Sequence, residues 1–93
     1  MKIVANRCFG GYSLSRQAMD KLGVDSTYAF VWSEERNTPA LVKVVDELGI
    51  AASGDCADLE IIEIPDSATD WLIEDYDGME TVLYVFDGKI HSA

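Results

Sequence analysis

Bases are what the second half of this 93-residue chain lacks. Residues 54–93 hold eleven acids (Asp55, Asp58, Glu60, Glu63, Asp66, Asp70, Glu74, Asp75, Asp77, Glu80 and Asp87) against a single Lys89. Residues 1–53 are balanced, with six acids and six bases, so the whole net charge of -10 resides in the last forty residues. Such a field disfavours nucleic acid and anionic membrane as direct partners and favours a basic partner, a cation or plain solubility. Cysteine is scarce as well: Cys8 and Cys56 form neither a disulfide framework nor a metal set, and reduced thiols in a cytoplasm are the default. One histidine, His91, leaves no zinc constellation, and the acids match no EF-hand spacing. No metal and no cofactor are expected. No run approaches the roughly 18 apolar residues of a membrane span, and the first residues lack the apolar core of a signal peptide, so a cytoplasmic location is expected.

What is present is an ordinary globular composition, 48% hydrophobic and 26% charged. It predicts a single domain over residues 1–93 with one modest core. The strongest local signal is Asp77-Gly78 between two β-prone runs, 71–76 and 79–86. A type I′ turn wants positive φ at both central residues, which Asp-Gly supplies. That turn sets a register in which Tyr76 faces Met79, Asp75 faces Glu80, Glu74 faces Thr81 and Ile73 faces Val82. Two carboxylates then meet across the strands, an arrangement that is destabilising unless solvated or used.

Taken in order, Lys2–Ala5 reads as a strand with Ile3 and Val4 on opposite faces. Asn6–Tyr12 reads as a loop, broken by Gly10 and Gly11. Ser13 is expected to cap a helix with Leu14, Ala18, Met19 and Leu22 on its apolar stripe and Gly23 at its end. Residues 28–32 alternate aromatic and small residues, the period of a strand with Tyr28, Phe30 and Trp32 on one face. Thr38 and Pro39 open a second helix with Leu41, Val44, Val45 and Leu48 inward, stopped by Gly49. Residues 59–64 form a strand closed by Pro65, and 89–91 a short last pairing or a frayed end. The fold class is α+β, two-layered, with an antiparallel or mixed sheet of about 4–5 strands and two helices packed on one face.

Four constellations could carry chemistry. Gly10 and Gly11 before a Ser-capped helix, with Arg7 nearby, have the outline of an anion cradle at Arg7, Gly10, Gly11 and Ser13, although the dinucleotide fingerprint and the P-loop lysine are missing. Against it stands a tight turn in which backbone passes close to a neighbour. Cys8 would need a base beside it, and His91 lies at the far end of the chain; no catalytic residue emerges, and no enzyme is expected. The aromatics at 28, 30 and 32 could stack bases, but the chain has hardly any surplus charge with which to hold phosphates. The acids remain. Side chains at i and i+2 on a strand stand about 6.6 Å apart, roughly two of the ~3.4 Å steps between phosphates along one DNA strand. Glu60, Glu63, Asp70, Glu74, Asp75, Asp77 and Glu80 could therefore imitate a phosphate ladder and engage the Arg and Lys of a nucleic-acid-binding protein.

The segment Asn6-Arg7-Cys8-Phe9-Gly10-Gly11-Tyr12-Ser13-Leu14-Ser15, together with Ile-Ile-Glu-Ile-Pro at 61–65 and Ile-Glu-Asp-Tyr-Asp-Gly-Met-Glu at 73–80, resembles a group of small phage and prophage proteins. The resemblance covers most of the chain and carries no assigned activity. It implies a phage setting, in which small acidic proteins are often inhibitors of host defence, anti-CRISPR proteins among them. Joined to the charge, it makes the expected function that of a stoichiometric inhibitor in the host cytoplasm. Its DNA-mimicking face would bind a basic nucleic-acid-binding host protein such as a CRISPR–Cas subunit. The alternatives are a small anion- or nucleotide-binding protein using the Gly10-Gly11 loop, and an accessory phage protein without enzymatic activity.

Overall fold

A computed structural model describes all residues, 1–93. The chain runs β1 (Lys2–Asn6), α1 (Arg16–Leu22), a 3₁₀ turn at Ser33–Glu35, α2 (Pro39–Leu48), a second 3₁₀ turn at Gly49–Ala52, then β2 (Leu59–Glu63), β3 (Asp70–Tyr76), β4 (Met79–Phe86) and β5 (Lys89–Ser92). This is an α+β fold with two helices on one side. The five strands divide into two antiparallel sheets, β1-β2 and β3-β4-β5, where the sequence predicted one.

β1 sits between the layers, and its sequence explains why. Ile3, Val4, Ala5 and Asn6 are all fully buried, the near-continuous apolar run of a strand covered on both faces. Val4 faces the helices and packs with Leu14, Ala18, Leu41, Val44, Val45 and Leu59. Ile3 and Ala5 face the other way, onto Ile64 and Val82, with Trp71, Ile73 and Tyr84 around them. The β1-β2 ribbon is thus the middle of three layers, with α1 and α2 on one side and the three-stranded sheet on the other.

The hairpin has the register the turn imposes: Asp75 pairs with Glu80, Tyr76 with Met79 and Ile73 with Val82. Asp77 and Gly78 both have positive φ, at 54° and 92°. β5 extends the sheet by pairing Tyr84 with His91 and Phe86 with Lys89. α2 begins at Pro39 and gives way at Gly49, as its spacing predicts.

Two expected elements are corrected. Ser13 does not cap α1; Ser15 does, its hydroxyl accepting from the Ala18 N–H. The chain stays extended two residues longer because Leu14 bridges to Ser53 and donates its N–H to the Thr27 carbonyl. Residues 28–32 are not a strand but a series of turns. Phe30 has φ of 61°, a left-handed geometry that no strand tolerates. The carbonyls a strand would have used are taken by side chains: Ala29 by the Tyr12 hydroxyl, Phe30 and Val31 by the Arg36 guanidinium.

Candidate functional site

β1 pairs with β2 along one edge only, and an uncovered edge leaves backbone groups that must find partners when buried. The Val4 N–H donates to the Arg36 carbonyl at 2.9 Å, and the Asn6 N–H to the Glu80 carboxylate at 2.7 Å. The Val4 carbonyl accepts from the Arg36 guanidinium at 3.2 Å. Arg36 and Glu80 thereby stand in for a missing strand. They also meet each other end-on, with Nη1 to Oε1 at 2.6 Å and Nη2 to Oε2 at 2.7 Å. Both are buried, 2% and 4% exposed, and the Tyr12 ring lies 3.9 Å from the guanidinium carbon. Burial raises the Tyr12 phenol above its usual range; Arg36 opposes that rise, and Glu80 and Glu35 add to it.

Asn6 extends this hub to three loops. Its amide donates to the carbonyls of Cys8 and Gly78 and its side-chain oxygen accepts from the Asp58 N–H. The Gly10-Gly11 loop is thereby packed against the hairpin turn. A Cβ on Gly10 would collide with the Cys56 carbonyl, and one on Gly78 with the Phe9 carbonyl. That close approach is the tight-turn alternative weighed against the anion cradle. Arg7 points to β4, where it donates to the Glu80 carbonyl, and Ser13 donates to the Asp55 carbonyl. Arg7 and Ser13 are thus engaged with other partners, and Gly11 donates its N–H to the Cys8 carbonyl.

The seven acids expected on one face are separated. Glu80 is corrected outright: it shares the inward face of β4 with Val82, and Arg36 neutralises it. This also resolves the like-charge pair with Asp75, which remains exposed and accepts the Gly78 N–H instead. Glu60 and Glu63 are exposed on opposite faces of β2, Glu63 directly across from Lys2. A hydrogen bond from the neighbouring Asp58 raises the Glu60 carboxyl above the ordinary glutamate range, with some burial and the Asp58 charge adding and Arg7 opposing. Asp70 and Glu74 share the outer face of β3 with Leu72 between them, so the phosphate ladder is interrupted. Asp77 occupies the turn.

The charge nonetheless stays uncompensated. Of the eleven late acids only two are in ion pairs, Asp66 with the N-terminal amine and Glu80 with Arg36. The outer face of β3-β4-β5 carries Asp70, Glu74, Leu72, Leu83, Val85 and Ile90, with Leu72 and Ile90 50% and 74% exposed. Its own strands place no base on it, and the one base that reaches its margin is Arg7, whose Nη1 lies 3.5 Å from the hydroxyl of Thr81, the residue across from Glu74. Lys89 pairs with Phe86 and alternates away from Ile90.

Cys56 is exposed with positive φ, not the buried small hydrophobe its type suggests. His91 is no frayed tail; it lies in β5, stacked on Tyr84 at 5.3 Å, at the opposite end of the hairpin from the Cys8 loop. No group of three His, Cys, Asp or Glu side chains is arranged to hold a metal ion. Sequence reasoning missed Arg36 and Asn6. Arg36 lies in a stretch that reads as polar loop; the burial of Glu80 was missed as well, although period-2 alternation from Val82 turns it inward. Comparison with known proteins adds no relative: no protein-family model, no curated protein and no solved structure matches the chain.

Proposed function

We propose that the protein is a non-enzymatic, stoichiometric binding protein whose outer β3-β4-β5 face engages a basic surface of a nucleic-acid-binding host protein, as a phage inhibitor of host defence would. One observation carries this reading: a sheet face with exposed Leu72 and Ile90, acids at Asp70 and Glu74, and no base from its own three strands. An apolar centre with a charged rim is the anatomy of a protein interface, and the sign of the rim selects a cationic partner and speeds its encounter at low salt. The site is narrower than the seven-residue ladder. Asp70, Glu74 and the turn acid Asp77 supply the charge, Glu80 belongs to the fold, and contact through Leu72 and Ile90 replaces strict imitation of phosphates.

Phage plating on hosts that carry defined CRISPR–Cas types tests the proposal. Expression of the chain is expected to restore plating on one of them, and D70K/E74K to abolish that rescue while the purified variant keeps its Tm. No rescue on any host, or rescue indifferent to charge reversal, would overturn the anti-defence reading.

A further inference from the structure

A second surface lies on the other side of the β3 edge. Between residues 28–36 and β3 there is a cleft of about 280 Å³ whose lining includes Tyr12, Tyr28, Trp32, Arg36, Asp75 and Glu80. That volume falls just below the roughly 300 Å³ at which small-molecule pockets begin, and suits the head of one side chain.

Its walls are aromatic and held open. Tyr28 and Trp32 are 60% and 69% exposed, yet the turns that carry them are clamped from beneath. Thr27 is bonded to Leu14 through both backbone and hydroxyl, Ala29 to the Tyr12 hydroxyl, and Phe30 and Val31 to Arg36. The left-handed Phe30 between them is a strained conformation of the kind that persists only where surroundings over-determine it, and that collects at ligand clamps. Exposed aromatics on a fixed backbone bury large area on binding at little cost in conformational entropy.

Its charge is that of an anion receptor's opposite. At the floor the Arg36 charge is cancelled by the bidentate contact with Glu80. Asp75 is left as an exposed carboxylate that makes no ion pair and is held by the Gly78 N–H at 2.9 Å. Aromatic rings lining a cleft with one uncompensated carboxylate are recognition elements for an organic cation.

We infer that this cleft is a subsite for the guanidinium or ammonium head of one Arg or Lys side chain of a protein partner, seated beside Tyr28 and Trp32 and paired with Asp75. The partner is that of the function proposed above, on which this assignment rests; β3 is an edge strand, so one partner lying along it reaches Glu74 on the outer face and Asp75 on the inner one.

The test is an NMR titration of the full chain with Nα-acetyl-arginine amide, Nα-acetyl-lysine amide, tetramethylammonium and, as neutral control, Nα-acetyl-glutamine amide. The two tryptophans, Trp32 and Trp71, give two indole N–H signals. A saturable shift of the Trp32 signal with either amino-acid cation is expected, with Trp71 unmoved. D75N is expected to weaken binding about tenfold while leaving the fold, since asparagine can still accept the Gly78 N–H. W32A, followed through the Tyr28 ring signals, is expected to do the same. No saturable shift, an equal response to the neutral amide, or an unaltered D75N affinity would overturn the assignment. Binding of tetramethylammonium without either amino-acid cation would overturn the basic-side-chain assignment and point to a free quaternary ammonium ligand. In D70N/E74Q the cleft is intact, so loss of plating rescue with retained cation binding keeps the subsite separate from the outer face. Retained rescue with no cation binding in the native chain removes the subsite alone.

Discussion

Glu80→Gln separates the charge of the buried pair from its shape. The variant keeps one oxygen acceptor of nearly the same reach, so it retains a contact with Arg36 and removes only the negative charge and one bond. Arg36 is 2% exposed and is left with the carbonyls of Val4, Phe30 and Val31 as partners, none of which carries a net charge. Breaking a buried ion pair from one side costs about 3–5 kcal/mol. A chain of 93 residues has a total stability of about 5–14 kcal/mol, so the variant is expected to sit near the margin of folding. With a urea m-value of about 1.5 kcal/mol/M, the midpoint falls by about 2 M or more, read by circular dichroism in paired melts. The loss should persist in 0.5 M NaCl, because salt screens exposed charges far more than buried ones. A cost under about 1 kcal/mol, or one that disappears in salt, would place the pair in the surface class and refute its role as the cover of β1. The double variant R36M/E80M sharpens the point. Buried pairs whose partners are only each other are often replaceable by apolar residues. Here the replacement orphans the Phe30 and Val31 carbonyls and the Asn6 N–H, so the double variant should remain destabilised while showing strong coupling between the two sites in a double-mutant cycle.

Three further outcomes are expected. Gly10→Ala forces a methyl into the Cys56 carbonyl and should cost about 1–3 kcal/mol, lowering Tm by roughly 5–20 °C; an unchanged melting curve would mean the two loops can separate freely. Asp58→Asn removes the neighbouring acid that raises Glu60, so the Glu60 carboxyl titration followed by NMR should move down toward the ordinary glutamate value. Since a raised folded value makes stability fall as pH rises through it, the same variant should flatten the pH dependence of stability across the carboxylate range. Tyr12, its phenol raised by burial, contributes stability that is lost as pH climbs past about 10, the unfolded tyrosine value. Tyr12→Phe should remove that alkaline loss at a cost of about 1 kcal/mol at neutral pH for its bond to the Ala29 carbonyl; an alkaline melt identical to the native one would refute it.

Local chemistry was legible where it is self-contained. Asp77-Gly78 dictates its own turn, and the turn dictates a register, so the hairpin and the Asp75–Glu80 facing followed from eight residues. Pro39 and Gly49 bracket α2 for the same reason. Residues 28–32 failed because their alternation is that of a strand but the edge they would have joined is occupied. The backbone and side chain of Arg36 reach β1 first, and once they do, the carbonyls of Phe30 and Val31 become ligands of that same guanidinium. No local pattern announces a long-range competitor of this kind, forty-four positions from its carboxylate partner.

The acids show why a sum of charges does not give a surface. Composition counts Asp75 and Glu80 as equals, and the turn sets them opposite each other, yet one faces water and the other is sealed under an arginine. The difference lies in which edge each strand offers. β4 is the middle strand of its sheet and its inward face lies over β1, so an acid there needs a base, and Arg36 is the base within reach. β3 is an edge strand on which Asp70, Glu74 and Asp75 are exposed, so its acids need none. The same logic puts Asp70 and Glu74 outside with Leu72, and Asp75 at the mouth of an aromatic cleft. If the partner is cationic, it should therefore approach along the β3 edge, where both sets of acids can be reached, and not across the helices, where Lys21 and Lys43 already pair with Glu47. Charge substitutions at Lys21 and Lys43 should then leave partner affinity unchanged while those at Glu74 and Asp75 reduce it, and the reverse pattern would move the interface to the helical side.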